Sequence, residues 1–240
     1  EDILPLKDVQ LTDLLRRLLH LEAVCFHLPA SGVGVALNIT VADGGEDGRS
    51  EWSGDPIHTD YVPNRLTIFQ CKATELGPAA CADELHLKDS AELKPQVAAA
   101  LDAGGSYILF TTQALNQSQI SERLEKMREA IRAAGRSYAD TVDLNIYDAN
   151  KIRDWTNRYV PAITAVLHWR GRPLLPGLQT WEHWSLQDKY LRFPFVPSDV
   201  SDKYIFQLRS TLAQPRQAAR ILGLPGVGKT RLALEVFRLS

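Results

Sequence analysis

Three polar residues in the first third of the chain are of the types that hydrolysis at phosphorus needs. An aspartate, Asp47, closes a glycine-broken turn, ADGGEDG at residues 42–48, and a glutamine and a lysine stand two apart in RLTIFQCKA, residues 65–73. The second segment reads as a strand, and side chains at i and i+2 of a strand project from one face. Gln70 and Lys72 therefore point the same way. If the intervening residues fold back as a hairpin, the Asp47 carboxylate joins them. A carboxylate, an amide oxygen and an ammonium on one spot suit a hydrolytic Mg²⁺ site, because Mg²⁺ takes oxygen ligands and keeps several waters. By average usage a Q-x-K triplet arises by chance about once in two chains of this length. Its weight therefore comes from the aspartate turn on the preceding strand.

A second motif lies near the other end. Gly223 to Thr230 read GLPGVGKT and satisfy G-x-x-x-x-G-K-[ST], which chance produces in about 1% of chains this long. In this pattern Gly223, Gly226 and Gly228 let backbone N–H groups wrap phosphates. Lys229 reaches the terminal phosphates and the Thr230 hydroxyl ligates Mg²⁺, so ATP with Mg²⁺ is the expected ligand. Arg220 to Leu222 read as a strand edge before the loop, and Leu232, Ala233, Val236 and Phe237 give the following helix an apolar face. Ten residues follow Thr230, too few for an acidic strand or sensor elements. The expectation is the start of a longer NTPase that does not turn over nucleotide by itself.

The bulk numbers frame both motifs. The chain has 240 residues, 45% hydrophobic and 23% charged, with a formal net charge of −2, as in ordinary globular proteins. A weakly acidic chain has no global attraction to nucleic acid, so phosphate contacts must come from a local patch. No apolar run reaches membrane-spanning length and the first residues lack a secretory pattern, so a cytoplasmic location without membrane contact is expected. Cys25, Cys71 and Cys81 form no CxxC pair, which suggests neither a disulfide framework nor a zinc site. The six histidines have no HxxxH spacing and read as structural or surface residues.

The elements that must position the first motif follow from periodicity. Leu11, Leu14, Leu15, Leu18 and Leu21 predict an amphipathic helix over 9–26, with Glu22 continuing its apolar row. Burying a carboxylate is costly, so Glu22 either lies at an exposed helix end or is aimed into the site. Alternation over 33–41 predicts a strand. Residues 49–64 read as a polar excursion, 65–74 as a central strand and 75–94 as loop. A helix opens at Pro95, SYILFTT reads as a strand, and a helix capped by Ser118 carries Arg123, Lys126, Arg128 and Arg132 on its outer face. That face is either solvated or phosphate-binding. TVDLNIY is a further strand, Asp148 caps the next helix and Pro161 opens the last. This order predicts an α/β domain over 1–168, a linker or docking segment over 169–198, and a second domain begun over 199–240.

The DGGEDG turn at one strand end, followed by FQCKA on the next strand, resembles the PD-(D/E)xK nuclease superfamily. Within it, the pattern is similar to the Mrr-type endonucleases and related effector domains of bacterial antiphage defence proteins. The resemblance covers roughly residues 9–168 and implies a restriction-endonuclease-like mixed sheet flanked by helices. It makes Asp47 the main metal ligand, joined by the Gln70 side-chain oxygen, where many relatives have Glu or Asp, and by the Cys71 backbone carbonyl. Lys72 becomes the group that orients the attacking water, and Glu22 matches an acid that some relatives carry on the first helix. A phosphate loop directly downstream resembles STAND-type NTPases. Together the resemblances imply a Mg²⁺-dependent endonuclease acting on double-stranded DNA in antiviral defence. They imply control by homo-oligomerisation through downstream domains, with a phage-derived protein as candidate trigger. The competing expectation is a non-catalytic nuclease-like module that binds nucleic acid or protein.

Overall fold

The leucine row of the first helix is the foundation of the N-terminal unit. Leu11, Leu14, Leu15 and Leu18 are fully buried along α1, Asp8–Cys25, and lie against one face of a five-stranded sheet. The computed structural model describes residues 2–35, 46–172, 195–214 and 217–238, and the chain divides into two compact units, Glu1–Pro173 and Leu174–Ser240. In the first unit the strands are β1 (Val33–Val35), β2 (Gly48–Glu51), β3 (Leu66–Lys72), β4 (Ser106–Thr111) and β5 (Asp143–Tyr147). They lie in the order β1-β2-β3-β4-β5. The pairs β1–β2 and β2–β3 are antiparallel, while β3–β4 and β4–β5 are parallel. The protein is thus an α/β fold with a mixed sheet and helices on both faces.

Each parallel step needs a crossover, and helices supply it. Between β3 and β4 run α2 (Pro78–Asp83) and α3 (Pro95–Asp102), and between β4 and β5 runs α4 (Gln117–Ala133). These three helices bury Cys81, Val97, Leu101, Met127 and Ile131 against Ile68, Tyr107 and Leu109 on one sheet face. On the opposite face α1, α5 (Ala149–Thr156) and α6 (Val160–Trp169) bury Ile152, Trp155 and Val166 against Phe69, Ile108 and Phe110. Both faces of β3 are therefore covered, in line with its continuous apolar run.

Several sequence expectations change here. The polar excursion predicted over 49–64 begins with β2, whose short GRSE sequence has no apolar alternation to reveal it. Among the described residues the strand that begins at Val33 therefore pairs with β2 and not with β3. The stretch read as loop over 75–94 contains α2. The helix predicted from Ser118 is capped two residues earlier, by Asn116, which accepts from the Gln119 N–H at 2.9 Å. Asp148 caps α5 as expected, accepting from the Lys151 N–H at 3.0 Å. The end of the strand predicted over 33–41, the first part of the ADGGEDG turn and most of the predicted linker lie outside the described residues.

In the second unit α7, Asp199–Leu212, is capped by Ser198, and α8, Lys229–Val236, follows the glycine segment. Arg209 of α7 donates to the carbonyls of Glu235, Val236 and Arg238 at 2.9 Å each, satisfying orphan acceptors at the end of α8. Arg220 to Leu222 carry no strand among the described residues. No helix among the described residues is long and apolar enough to cross a membrane.

Candidate functional site

Asp47 sits one residue before β2, and its N–H donates to the Phe69 carbonyl at 2.9 Å, extending the β2–β3 ladder. Gly48 packs tightly beside it, since a Cβ there would lie 3.0 Å from Leu15 Cδ2. Thus held, the buried Asp47 carboxylate turns toward the carboxyl end of β3. Its Oδ2 accepts from Gln70 Nε2 and from the Cys71 N–H, both at 2.6 Å. Asp47 and Gln70, expected to converge, lie together, and the contact is made by the amide nitrogen of Gln70 and not by the oxygen expected to face a cation.

Beyond β2 the same edge of β3 receives a second carboxylate. Asp8, in the first turn of α1, accepts from the Ala73 N–H at 2.9 Å. The N–H groups of Cys71 and Ala73 are two residues apart on a strand, about 7 Å. The N–H and C=O of one strand residue face the same edge, so the Cys71 carbonyl lies between the two carboxylates. Asp8 was not singled out from the sequence, where an acid in a first helical turn reads as a favourable charge at a helix N-terminus. Only its contact with residue 73 reveals the second role.

Gln70 is buried, and its Oε1 has no hydrogen-bond partner. An orphaned buried acceptor beside a carboxylate is the feature a hard cation would satisfy. Among the described residues no group of three or more His, Cys, Asp or Glu side chains could hold a metal. The oxygens beside Asp47 that a cation could use are the unpartnered Gln70 Oε1 and the Cys71 carbonyl. The Cys71 thiol is not such a ligand, because burial and then the neighbouring Asp47 charge push it well above its ordinary range and keep it protonated. Tyr107, diagonal to Gln70 on β4, has a fully buried hydroxyl without a partner, and burial likewise raises it well above the usual phenol value.

Lys72 shares the Gln70 face as predicted, but its ammonium is bound elsewhere. Its Nζ lies 2.9 Å from Glu84 Oε1, at the end of α2, and Glu84 Oε2 is 3.3 Å from Lys94 Nζ. Glu22 is not brought to these groups, correcting the expectation that it could join them. It lies fourteen residues along α1 from Asp8, about 21 Å, and on the face of the sheet opposite Gln70. Its Oε2 accepts from Trp155 Nε1 at 2.9 Å and from the Tyr159 hydroxyl at 2.6 Å. The helix row that suggested an inward-pointing acid is correct, but it points toward α5 and α6.

The charged face of α4 also resolves. Arg123 is buried and donates to the Leu76 carbonyl at 2.9 and 3.1 Å and to Gln119 at 3.1 Å, tying α4 to the segment after β3. Lys126 pairs with Glu129, Arg132 with Glu125 and Asp140, and Arg128 approaches Glu125 at 4.0 Å. This face is a network of ion pairs.

In the second unit, Gly226 and Gly228 adopt φ of +81° and +88°, a backbone region that side chains resist. They bring the chain to the N-terminus of α8. Lys229 Nζ folds back to the carbonyls of Gly223 and Leu224 at 2.8 and 2.7 Å. Between this loop and α7 lies an open cavity of about 1070 Å³, whose lining includes Tyr204, Leu208, Gly226, Lys229 and Thr230.

Fold and site together define an α/β protein with a polar cluster at the carboxyl end of the middle strand of its sheet, and a separate unit in which a glycine loop enters a helix. No family model, curated protein or solved structure matches the chain.

Proposed function

We propose that the N-terminal unit is a Mg²⁺-dependent endonuclease of PD-(D/E)xK type acting on DNA, and that the second unit carries the phosphate loop of a STAND-type P-loop NTPase controlling it through homo-oligomerisation in antiviral defence. The observation that carries the reading is the Asp47 carboxylate held on both Gln70 Nε2 and the Cys71 N–H at 2.6 Å, two residues before Lys72. Asp47, the Gln70 amide oxygen and the Cys71 carbonyl would hold the cation. Bound there, Mg²⁺ makes a coordinated water more acidic and offsets charge developing on the phosphate. Lys72 contributes an ammonium that donates hydrogen bonds to a phosphate oxygen or to the attacking water. Asp8 and Asp47 fix the edge of β3, so the oxygen ligands are pre-positioned. In the second unit the Lys229 ammonium would leave the carbonyls of Gly223 and Leu224 for the terminal phosphates of ATP.

The test is plasmid cleavage. At protein concentrations high enough to drive self-association, the protein should nick supercoiled DNA with Mg²⁺ and not with EDTA, and Lys72→Ala should abolish nicking. Cleavage that survives both EDTA and Lys72→Ala would sink the reading. One observation favours a binding module instead: Gln70 is neutral where a carboxylate would strengthen cation binding. DNA binding without cleavage at any protein concentration would decide for that alternative.

A further inference from the structure

Lys72 ends in a flexible stem, and its usefulness at a phosphate depends on what holds it. Among the described residues one group pairs with it. Glu84 Oε1 lies 2.9 Å from Lys72 Nζ, while Glu84 Oε2 lies 3.3 Å from Lys94 Nζ. All three side chains are partly buried, with side-chain exposures of 27%, 19% and 21% for Lys72, Glu84 and Lys94. Glu84 is itself firmly placed. Its N–H donates to the Ala80 carbonyl at 3.2 Å, and the next residue, Leu85, is fully buried. The Lys94 N–H donates to the Leu85 carbonyl at 2.8 Å, and His86 bridges to Leu93, so positions 84 and 94 are fixed side by side. Arg123 grips the Leu76 carbonyl and anchors the approach to α2 from the other side.

From this geometry we infer that Glu84 is the positioning residue for Lys72, and that Lys94 keeps the pair cationic. This rests on the nuclease reading above and extends it to two residues outside the Asp47–Gln70–Lys72 pattern. A single carboxylate paired with Lys72 alone would neutralise it. Shared between two lysines, the carboxylate leaves the trio with a net positive charge, so Lys72 is restrained without losing its attraction for phosphate. Restraint matters because a misplacement of about 1 Å in a positioned group can lower a rate by about 10²-fold.

The experiment uses the full chain with two readouts. Brief acetylation with acetic anhydride, followed by peptide mass spectrometry, reports the freedom of the Lys72 amine without reference to activity. Plasmid nicking with Mg²⁺ reports kcat and KM. Glu84→Ala should label Lys72 several-fold faster and lower kcat by about 10²-fold with KM changed less than about threefold. The double variant Glu84→Gln, Lys94→Met returns an acceptor to Lys72 without setting an amide against a second ammonium, and should regain at least about tenfold of the lost kcat. Unchanged Lys72 labelling in Glu84→Ala overturns the contact. Faster labelling with undiminished kcat, or no regain in the double variant, overturns the positioning role. A wild-type protein that never nicks DNA, or nicking that survives Lys72→Ala, overturns the nuclease reading and this inference with it.

Discussion

Asp47 serves two purposes that substitution can separate. Its Oδ2 satisfies two donors at 2.6 Å, the Cys71 N–H and Gln70 Nε2, and both donor residues are buried. Asp47→Ala leaves both donors without that acceptor. A buried donor deprived of its partner costs about 1–3 kcal/mol, so the pair together costs about 2–6 kcal/mol. For a unit of this size, each kcal/mol lowers the melting temperature by about 2–4 °C, which places the fall at about 4–24 °C. Asp47→Asn keeps an acceptor at the same reach and loses the charge, so its melting temperature should fall by less than half as much. Both variants should lose Mg²⁺-dependent nicking, because an amide is a weak ligand for a hard cation compared with a carboxylate. Calorimetry and plasmid nicking on the same preparations make the comparison. An Asp47→Ala protein that melts with the wild type refutes the bonding at the β3 edge. Normal nicking by Asp47→Asn refutes the assignment of Asp47 as the main ligand.

Three further outcomes follow from neighbouring features. Glu22→Gln should nick DNA within about twofold of wild type, while Glu22→Ala, which strips the acceptor from Trp155 and Tyr159, should cost about 2–6 kcal/mol of stability by calorimetry; loss of nicking in a well-folded Glu22→Gln protein would contradict the placement of this acid away from the site. Lys229→Ala should abolish binding of a fluorescent ATP analogue measured by anisotropy, and undiminished binding would remove the phosphate role given to the glycine loop. Tyr138 donates to Asp102 at 2.6 Å, and burial followed by this bond raises its hydroxyl to about 12. The folded state therefore holds a proton that the unfolded state releases above pH 10, so this stabilisation is complete below pH 10 and is lost between pH 10 and 12. In denaturant titrations across that window, Tyr138→Phe should show a shallower loss than wild type, and identical slopes would count against the hydrogen bond.

Periodicity located the long, strongly patterned elements because burial alone dictates them. Leucines at 11, 14, 15 and 18 can only be buried together on a helix, and α1 follows. The alternation of Ile68 with Phe69 and of Gln70 with Cys71 across β3 places one set in each core, again as spacing requires. Elements defined by partners were not legible. The sequence of β2 is GRSE, which becomes a strand through pairing on both edges. Arg123 looked like a solvent-facing cation because helix position alone does not show that the Leu76 carbonyl awaits it. Glu84 and Asp8 were missed for the same reason. Their importance lies in contacts with Lys72 and Ala73, and the 12 and 65 residues of separation give no periodic signal.

The charge arrangement bears on why a site of this kind would stay quiet at rest. Asp8 and Asp47 both bond strand-edge N–H groups, Gln70 adds no charge, and Lys72 is engaged by Glu84. A cation entering this cluster gains fewer carboxylate contacts than in a site with two acids free to turn toward it. Under the proposed function, a phosphate would have to supply the missing negative charge, drawing the cation to Asp47 while Lys72, held by Glu84, meets the same oxygen. Substrate and metal then bind cooperatively, because each provides the charge the other lacks. Silence in the absence of DNA would arise at the β3 edge itself, and control by a nucleotide-binding unit would act on a site that is already reluctant.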